Sequence, residues 1–174
     1  VIDHDDEGPI PRINVSVKVS SLDSQVSAVD AERSAQMLAR GLKPLFLRAK
    51  AIGASVMLDL EHYALKNITY DAFDLLLNDP ELKDGPQMGV VVQAYLLDSK
   101  DDVEELIKRV KKAKKRITVR LVKGAYWDYE TVTANQNGWK VPVFQDKAAT
   151  DANYEAITDI ILKSKVLKLA LASH

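Results

Sequence analysis

Five short apolar runs recur along the chain, and longer stretches of helical periodicity separate them. Asn14 to Val19 alternates and is rich in valine, which predicts a strand. From Ser27 to Ile52, Ala, Leu and Met fall on one stripe and Arg and Lys on the other, the pattern of an amphipathic helix. Pro44 inside that stretch is expected to kink the helix or split it in two. Gly53 is a helix stop, and Ser55 to Leu60 is the second run. Thr69 is expected to cap a helix through Leu77, ended by Asn78 and Pro80. Gly89 to Tyr95 is the third run. Ser99, with Asp101 and Asp102 behind it and a lysine-rich end, signs a helix to about Lys115. Ile117 to Lys123 is the fourth run. Thr150 or Asp151 is expected to cap a helix carrying Tyr154, Ile157, Ile160 and Ile161 on one face, and Val166 to Ala172 is the fifth run.

Strand, helix, strand, repeated four times and ending on a strand, predicts an α/β fold with a parallel sheet and helical crossovers. An open doubly wound sheet and a (β/α)8 barrel both fit this order. Residues 1–13 combine Asp5, Asp6 and Glu7 with Gly8, Pro9 and Pro11, and read as a flexible lead-in to a unit spanning 14–174.

Composition narrows the function classes. The 174 residues are 47% hydrophobic and 28% charged, the balance of a globular domain. A net charge of −1 supplies no basic field for nucleic acid. The absence of cysteine excludes disulfides, thiolate metal sites and thiol catalysis. No apolar run approaches the ~20 residues that span a bilayer, and the acidic start is unlike a signal peptide, so a cytoplasmic location is the expectation.

The informative positions are polar residues inside apolar strands. Lys18 sits in NVSVKV, Asp59 in VMLDL, Gln93 in VVVQAY and Arg120 in ITVRLV, each towards the C-terminal end of its run. An unpaired buried charge costs several kcal/mol, so such residues either pair or serve a site. The C-terminal strand ends of a barrel or open sheet face one crevice, where ligand groups gather. Four such residues on four consecutive strands favour a site over internal ion pairs such as Lys18 with Asp59. The set suits an anionic substrate or an electron-rich cofactor.

Other signals are weaker. His62 follows Asp59 and Glu61, but no second histidine lies near it to make a metal site. The basic run Lys108 to Arg116 ends a helix and reads as a solvated face. Gly124 is a lone loop glycine, and neither GxGxxG nor GxxxxGK[ST] occurs. Trp127 and Trp139 read as packing residues.

The stretch RLVKGAYWDYE, Arg120 to Glu130, resembles the most distinctive motif of proline dehydrogenases. NVSVKVSSL, LDLEHYAL and GVVVQAYL precede it in the family's order, and PVFQDKAATDANYE and LALASH follow. The resemblance runs from about Asn14 to His174 and is strongest to the proline dehydrogenase part of proline utilization A enzymes.

That resemblance implies a distorted (β/α)8 barrel, here truncated to about its first five β/α units, with FAD over the C-terminal strand ends. The implied reaction is oxidation of L-proline to Δ1-pyrroline-5-carboxylate, with hydride passing to flavin N5 and electrons then to a membrane quinone. By motif, Lys18 matches a lysine near the substrate carboxylate, and Leu121 and Tyr126 match residues packed round the substrate. Asp59 and Arg120 match the catalytic aspartate and the arginine beside flavin N5. Leu60, Gln93, Arg120, Val122, Lys123, Gly124, Ala125, Trp127, Ser173 and His174 match cofactor contacts. Asp59 is expected either to balance the excess cations or to hold the amine. Ser173 stands where the family has threonine. Family members carry three further strands and a helix with two arginines on the substrate carboxylate, so this chain alone is expected to be inactive. The resemblance also implies a homo-oligomer, peripheral contact with the inner face of the cell membrane, and no nucleic acid bound through this segment. Two competing readings are a lyase using Lys18 or Lys123 as a Schiff base, and a fragment that self-associates through an open strand edge.

Overall fold

The computed structural model describes residues 4, 5, 8–22 and 25–172. Two short strands, β1 (His4–Asp5) and β2 (Gly8–Pro9), form an antiparallel ribbon. The main sheet holds β3 (Asn14–Lys18), β4 (Ser55–Asp59), β5 (Gln87–Gln93), β6 (Ile117–Val122) and β7 (Leu167–Leu171), hydrogen-bonded in that order and all parallel. Helices α1 (Ala31–Ile52), α2 (Tyr63–Leu77) and α3 (Ser99–Lys112) make the first three crossovers. Helices α4 (Trp127–Asn137) and α5 (Lys147–Lys163) together make the fourth. Strand order follows chain order without reversal. A doubly wound sheet reverses at a switch point, so this winding is that of a barrel wall.

Register assigns every strand residue to a face. Lys18 pairs with Asp59, Val91 with Arg120, Arg120 with Ala170, and Gln93 with Val122, so the polar strand residues share one side of the pleat. Their neighbours Leu58, Val90, Val92, Val119 and Leu121 point the other way, into a core closed by Leu38, Leu42, Phe46 and Phe73 from the helices. Helix α1 earns its place there through Leu38, Leu42, Phe46 and Ala49, buried at spacings of three and four. Truncating a fully buried phenylalanine such as Phe46 costs about 3–5 kcal/mol. A smaller cluster of Met57, Leu60, Val91, Tyr95, Leu96 and Val143 lies apart from that core.

The five strands and the stop at Gly53 (φ 67°, left-handed) stand as the hydrophobic pattern predicts. Several helix details differ. Pro44 sits within the uninterrupted α1 and does not split it. Proline removes one hydrogen bond of the helix, and burial of the residues on either side holds the axis together. Thr69 lies inside α2, where its hydroxyl donates to the Leu65 carbonyl at 2.8 Å, and the helix starts six residues earlier at Tyr63. The cap of α5 is Asp146, whose Oδ1 accepts the Ala148 N–H at 3.1 Å; Thr150 and Asp151 lie inside the helix. Helix α4 has no counterpart in the hydrophobic pattern, because Glu130 and Ala134 are its buried residues. Within residues 1–13 the ribbon is tied to the sheet by Gln87 Nε2, which donates to the Pro9 carbonyl at 2.8 Å, and by a Lys168–Asp5 ion pair.

Candidate active-site cleft

At the C-terminal strand ends a cleft of about 600 Å3 opens on the inner face of the sheet. It is lined by Lys18, Asp59, Leu60, Val91, Gln93, Arg120, the turn Val122–Tyr126, Tyr154 and Ala172. Alternation delivers the polar set: Lys18, Asp59 and Gln93 each close a strand, and Arg120 lies two residues before the end of β6.

Arg120 is held on two sides. Its Nη1 donates to Asp59 Oδ1 at 2.9 Å, and its Nη2 donates to Ser16 Oγ at 2.7 Å. The ion pair formed is Arg120 with Asp59 rather than Lys18 with Asp59, the alternative weighed against a site, although register sets Lys18 directly beside the aspartate. A guanidinium with two fixed acceptors presents a defined edge to a ligand, which a flexible ammonium does not. Gln93 is 2% exposed. Its amide nitrogen donates to the carbonyls of Leu60 and Glu61, both at 3.2 Å, fixing the loop after β4. Its Oε1, buried in the same cleft lining, has no hydrogen-bond partner.

The turn after β6 is shaped by Gly124. Its φ is 133°, and a Cβ built there would meet the Tyr95 ring at 2.4 Å, so only glycine lets the backbone pass so close. Lys123 lines the cleft and pairs with Asp151 Oδ1 at 2.6 Å, while Lys147 takes Oδ2 at 2.6 Å. Lys123 first, and Lys147 with it, hold the Asp151 carboxyl below its usual range.

Two motif residues lie elsewhere. Leu121 does not reach the cleft: parity with Arg120 turns its fully buried side chain into the helix-facing core. Trp127 lines an adjoining hollow of about 330 Å3 with Tyr95, Lys123, Gly124 and Phe144, where its indole N–H donates to the Phe144 carbonyl at 2.8 Å. Trp127 and Trp139 are both exposed rather than packed inside. Ser173 and His174 lie outside the described residues.

Sequence reasoning missed Ser16, because a serine in a strand carries no signal until register places it beside Arg120. It also missed Lys66, which is 2% exposed in α2 and joins Asp98 at 2.6 Å and Asp102 at 2.7 Å. That network braces α2 against the start of α3 and stands outside the cleft lining. Burial raises the Asp102 carboxyl above its usual range, against the pull of Lys66. Among the described residues no group of three or more His, Cys, Asp or Glu is placed to hold a metal, and no helix is long and apolar enough to cross a membrane.

The cleft suits an electron-rich ring system. It offers a fixed guanidinium, two lysines, an unpartnered buried amide oxygen and a close-approaching backbone turn.

Residues 2–174 match the family model for proline dehydrogenase. The chain belongs to the proline dehydrogenase family. It is 32% identical over 157 residues to the bifunctional protein PutA of Escherichia coli (strain K12), covering 90% of this chain and 12% of that protein. It is also 32% identical over 169 residues to PutA of Rhizobium meliloti, covering 97% of this chain and 13% of the relative. A crystal structure of proline utilization A from Bdellovibrio bacteriovorus, inactivated by N-propargylglycine, superposes with a TM-score of 0.96 at 45% identity. That match covers 99% of this chain and 18% of the solved one. The five-stranded wall is thus the fold of that part of a proline dehydrogenase domain, and the chain spans about an eighth of the curated relatives named here.

Proposed function

We propose that this chain forms the flavin-facing half of a proline dehydrogenase site, in a protein that oxidises L-proline to Δ1-pyrroline-5-carboxylate. The observation that carries the reading is Arg120, fixed between Asp59 and Ser16 on the inner face of the C-terminal cleft. Gln93, Arg120, Leu60 and the turn from Val122 to Ala125 would hold FAD, with Trp127, Ser173 and His174 completing its contacts. FAD would supply the acceptor for the hydride, a proton and two electrons, lost from the C–H bond beside the proline nitrogen as C–N becomes C=N, the nitrogen's own proton leaving to solvent.

Every other part falls to the protein. Lys18 offers the substrate carboxylate a point charge. Arg120 sets a fixed positive charge where negative charge accumulates, held in place beforehand by Asp59 and Ser16. Asp59 orients that guanidinium and balances part of the local positive charge. Tyr126 gives the substrate an apolar wall. Lys123 is occupied by Asp151, which argues against a Schiff-base lyase at that lysine. Electrons pass onward to a membrane quinone, reached by peripheral contact of a cytoplasmic homo-oligomer. The 174-residue chain alone is expected not to turn over.

The test is the visible spectrum of the full-length protein containing this chain, with FAD, before and after L-proline is added without oxygen. A bound flavin band that bleaches supports the reading. A bound band that stays oxidised overturns the substrate, and the absence of bound flavin overturns the cofactor.

A further inference from the structure

Beside the cleft, a buried carboxylate stands apart from every role assigned above. Glu130 lies in the first turn of α4 and is 6% exposed. Removing a carboxylate from water costs several kcal/mol unless it is matched by donors. Its Oε1 accepts the backbone N–H of Tyr63 at 2.8 Å. Tyr63 is the first residue of α2, where helical N–H groups lack partners of their own chain segment. The N-cap residue His62 makes no side-chain cap, and no acidic residue stands in the first turn of α2. Glu130 therefore performs, from another helix, the task a capping carboxylate usually performs locally, and its charge favours the positive end of the α2 dipole.

The same carboxylate governs His62. Oε1 lies 3.8 Å from His62 Nδ1, a buried nitrogen without a hydrogen-bond partner. The imidazole packs against two rings of the α4 entry: Tyr126 at 4.8 Å between centroids, and Tyr129 at 4.1 Å. Tyr126 lines the cleft. The other end of the same loop is already fixed, because Gln93 holds the carbonyls of Leu60 and Glu61. Glu61, itself buried, accepts the Ser20 N–H at 3.3 Å. The loop from Leu60 to Tyr63 is thus pinned to β5, to the segment after β3 and, through Glu130, to α4.

We propose that Glu130 is a positioning residue: it latches the start of α2 to α4 and, through the His62 ring, sets Tyr126 as the wall of the substrate cleft. The effect on substrate rests on the proline-oxidation reading above; the latch itself does not. Glutamine at this position keeps an oxygen acceptor for Tyr63 N–H, whereas alanine removes it. In the full-length protein, Glu130→Ala is expected to raise KM for L-proline roughly tenfold, as loss of a charge-assisted hydrogen bond implies, with bound FAD unchanged. Glu130→Gln is expected to recover most of that loss. His62→Ala, which removes the ring and leaves the cap, is expected to raise KM without loosening α2.

Amide hydrogen exchange at Tyr63 reads the latch without any turnover. It is expected to quicken in Glu130→Ala and to stay protected in Glu130→Gln and His62→Ala. Unchanged Tyr63 exchange in Glu130→Ala overturns the latch. Quickened exchange with unchanged KM overturns its link to the substrate wall, as does an equal loss of FAD and activity in both Glu130 variants. If the parent protein does not oxidise proline, the functional reading fails, and the exchange experiment still decides the latch.

Discussion

Ser16 Oγ and Arg120 Nη2 lie 2.7 Å apart, although 104 residues separate them in sequence and two whole strands stand between theirs in the sheet. Neighbouring strands are about 4.8 Å apart, so on a flat sheet these positions would be separated by about 14 Å, beyond the joint reach of the two side chains. The contact therefore depends on curvature of the wall towards its polar face. Shape and chemistry are one fact here: bending the sheet is what gives Arg120 its second acceptor.

Ser16→Ala removes that acceptor and leaves Asp59 as the partner of Arg120. In the full-length protein kcat/KM for proline is expected to fall roughly tenfold, as loss of one hydrogen bond to a charged group implies. Steady-state kinetics of Ser16→Ala, Asp59→Asn and the double variant check it. Additive losses in that cycle would show that the two acceptors do not act on one guanidinium.

Gly124→Ala combines a φ of 133° with a Cβ 2.4 Å from the Tyr95 ring. Backbone strain and overpacking each cost about 1–3 kcal/mol, so a loss of about 2–6 kcal/mol is expected. Urea unfolding of the variant against the unaltered protein measures it.

Lys66→Met leaves Asp98 and Asp102 without their shared cation. Breaking a buried pair from one side costs about 3–5 kcal/mol at neutral pH. Burial already raises Asp102 above its ordinary value of 3.8, with Lys66 opposing. A carboxyl raised in the folded state contributes stability that is complete below its unfolded pKa and fades as pH rises through its folded one. Lys66→Met removes the opposing cation, so its penalty is expected to be largest at neutral pH and to shrink on acidification. Urea unfolding at about pH 7 and about pH 5 compares the two.

Asp151 behaves in the opposite sense. Lys123 and Lys147 hold its carboxyl below the ordinary 3.8, so its contribution is present above that value and is lost as pH falls through the folded-state pKa. Asp151→Asn is expected to change stability little at neutral pH, since both ion pairs are open to solvent, and to flatten the decline below pH 3.8. Thermal unfolding of the two proteins across the acid range is the measurement.

The five strands of the main sheet were legible because their apolar runs are short and bounded, and each falls within two residues of its expected place; the β1–β2 ribbon, in a segment read as a flexible lead-in, was not. Lys18, Asp59, Gln93 and Arg120 were legible as a set because a polar residue in an apolar run is expensive. What escaped depends on relations between elements. Thr69 looks like a cap by type, yet it bonds back to Leu65 inside a helix already under way. Helix α4 buries too little to print a periodicity. Leu121 follows Arg120 in a site-bearing motif, but a strand turns consecutive side chains to opposite faces, and the motif does not say which.

The pleat divides the labour of this wall residue by residue. Leu58, Val90, Val92 and Leu121 face the helices and maintain the fold, while Asp59, Val91, Gln93 and Arg120 face the cleft. Selection can therefore act on the two sets almost independently. A descendant could exchange its inner residues, and with them its preferred substrate, while inheriting the helix-packed side unchanged. Drift in the helix-facing residues would instead threaten stability long before it altered chemistry.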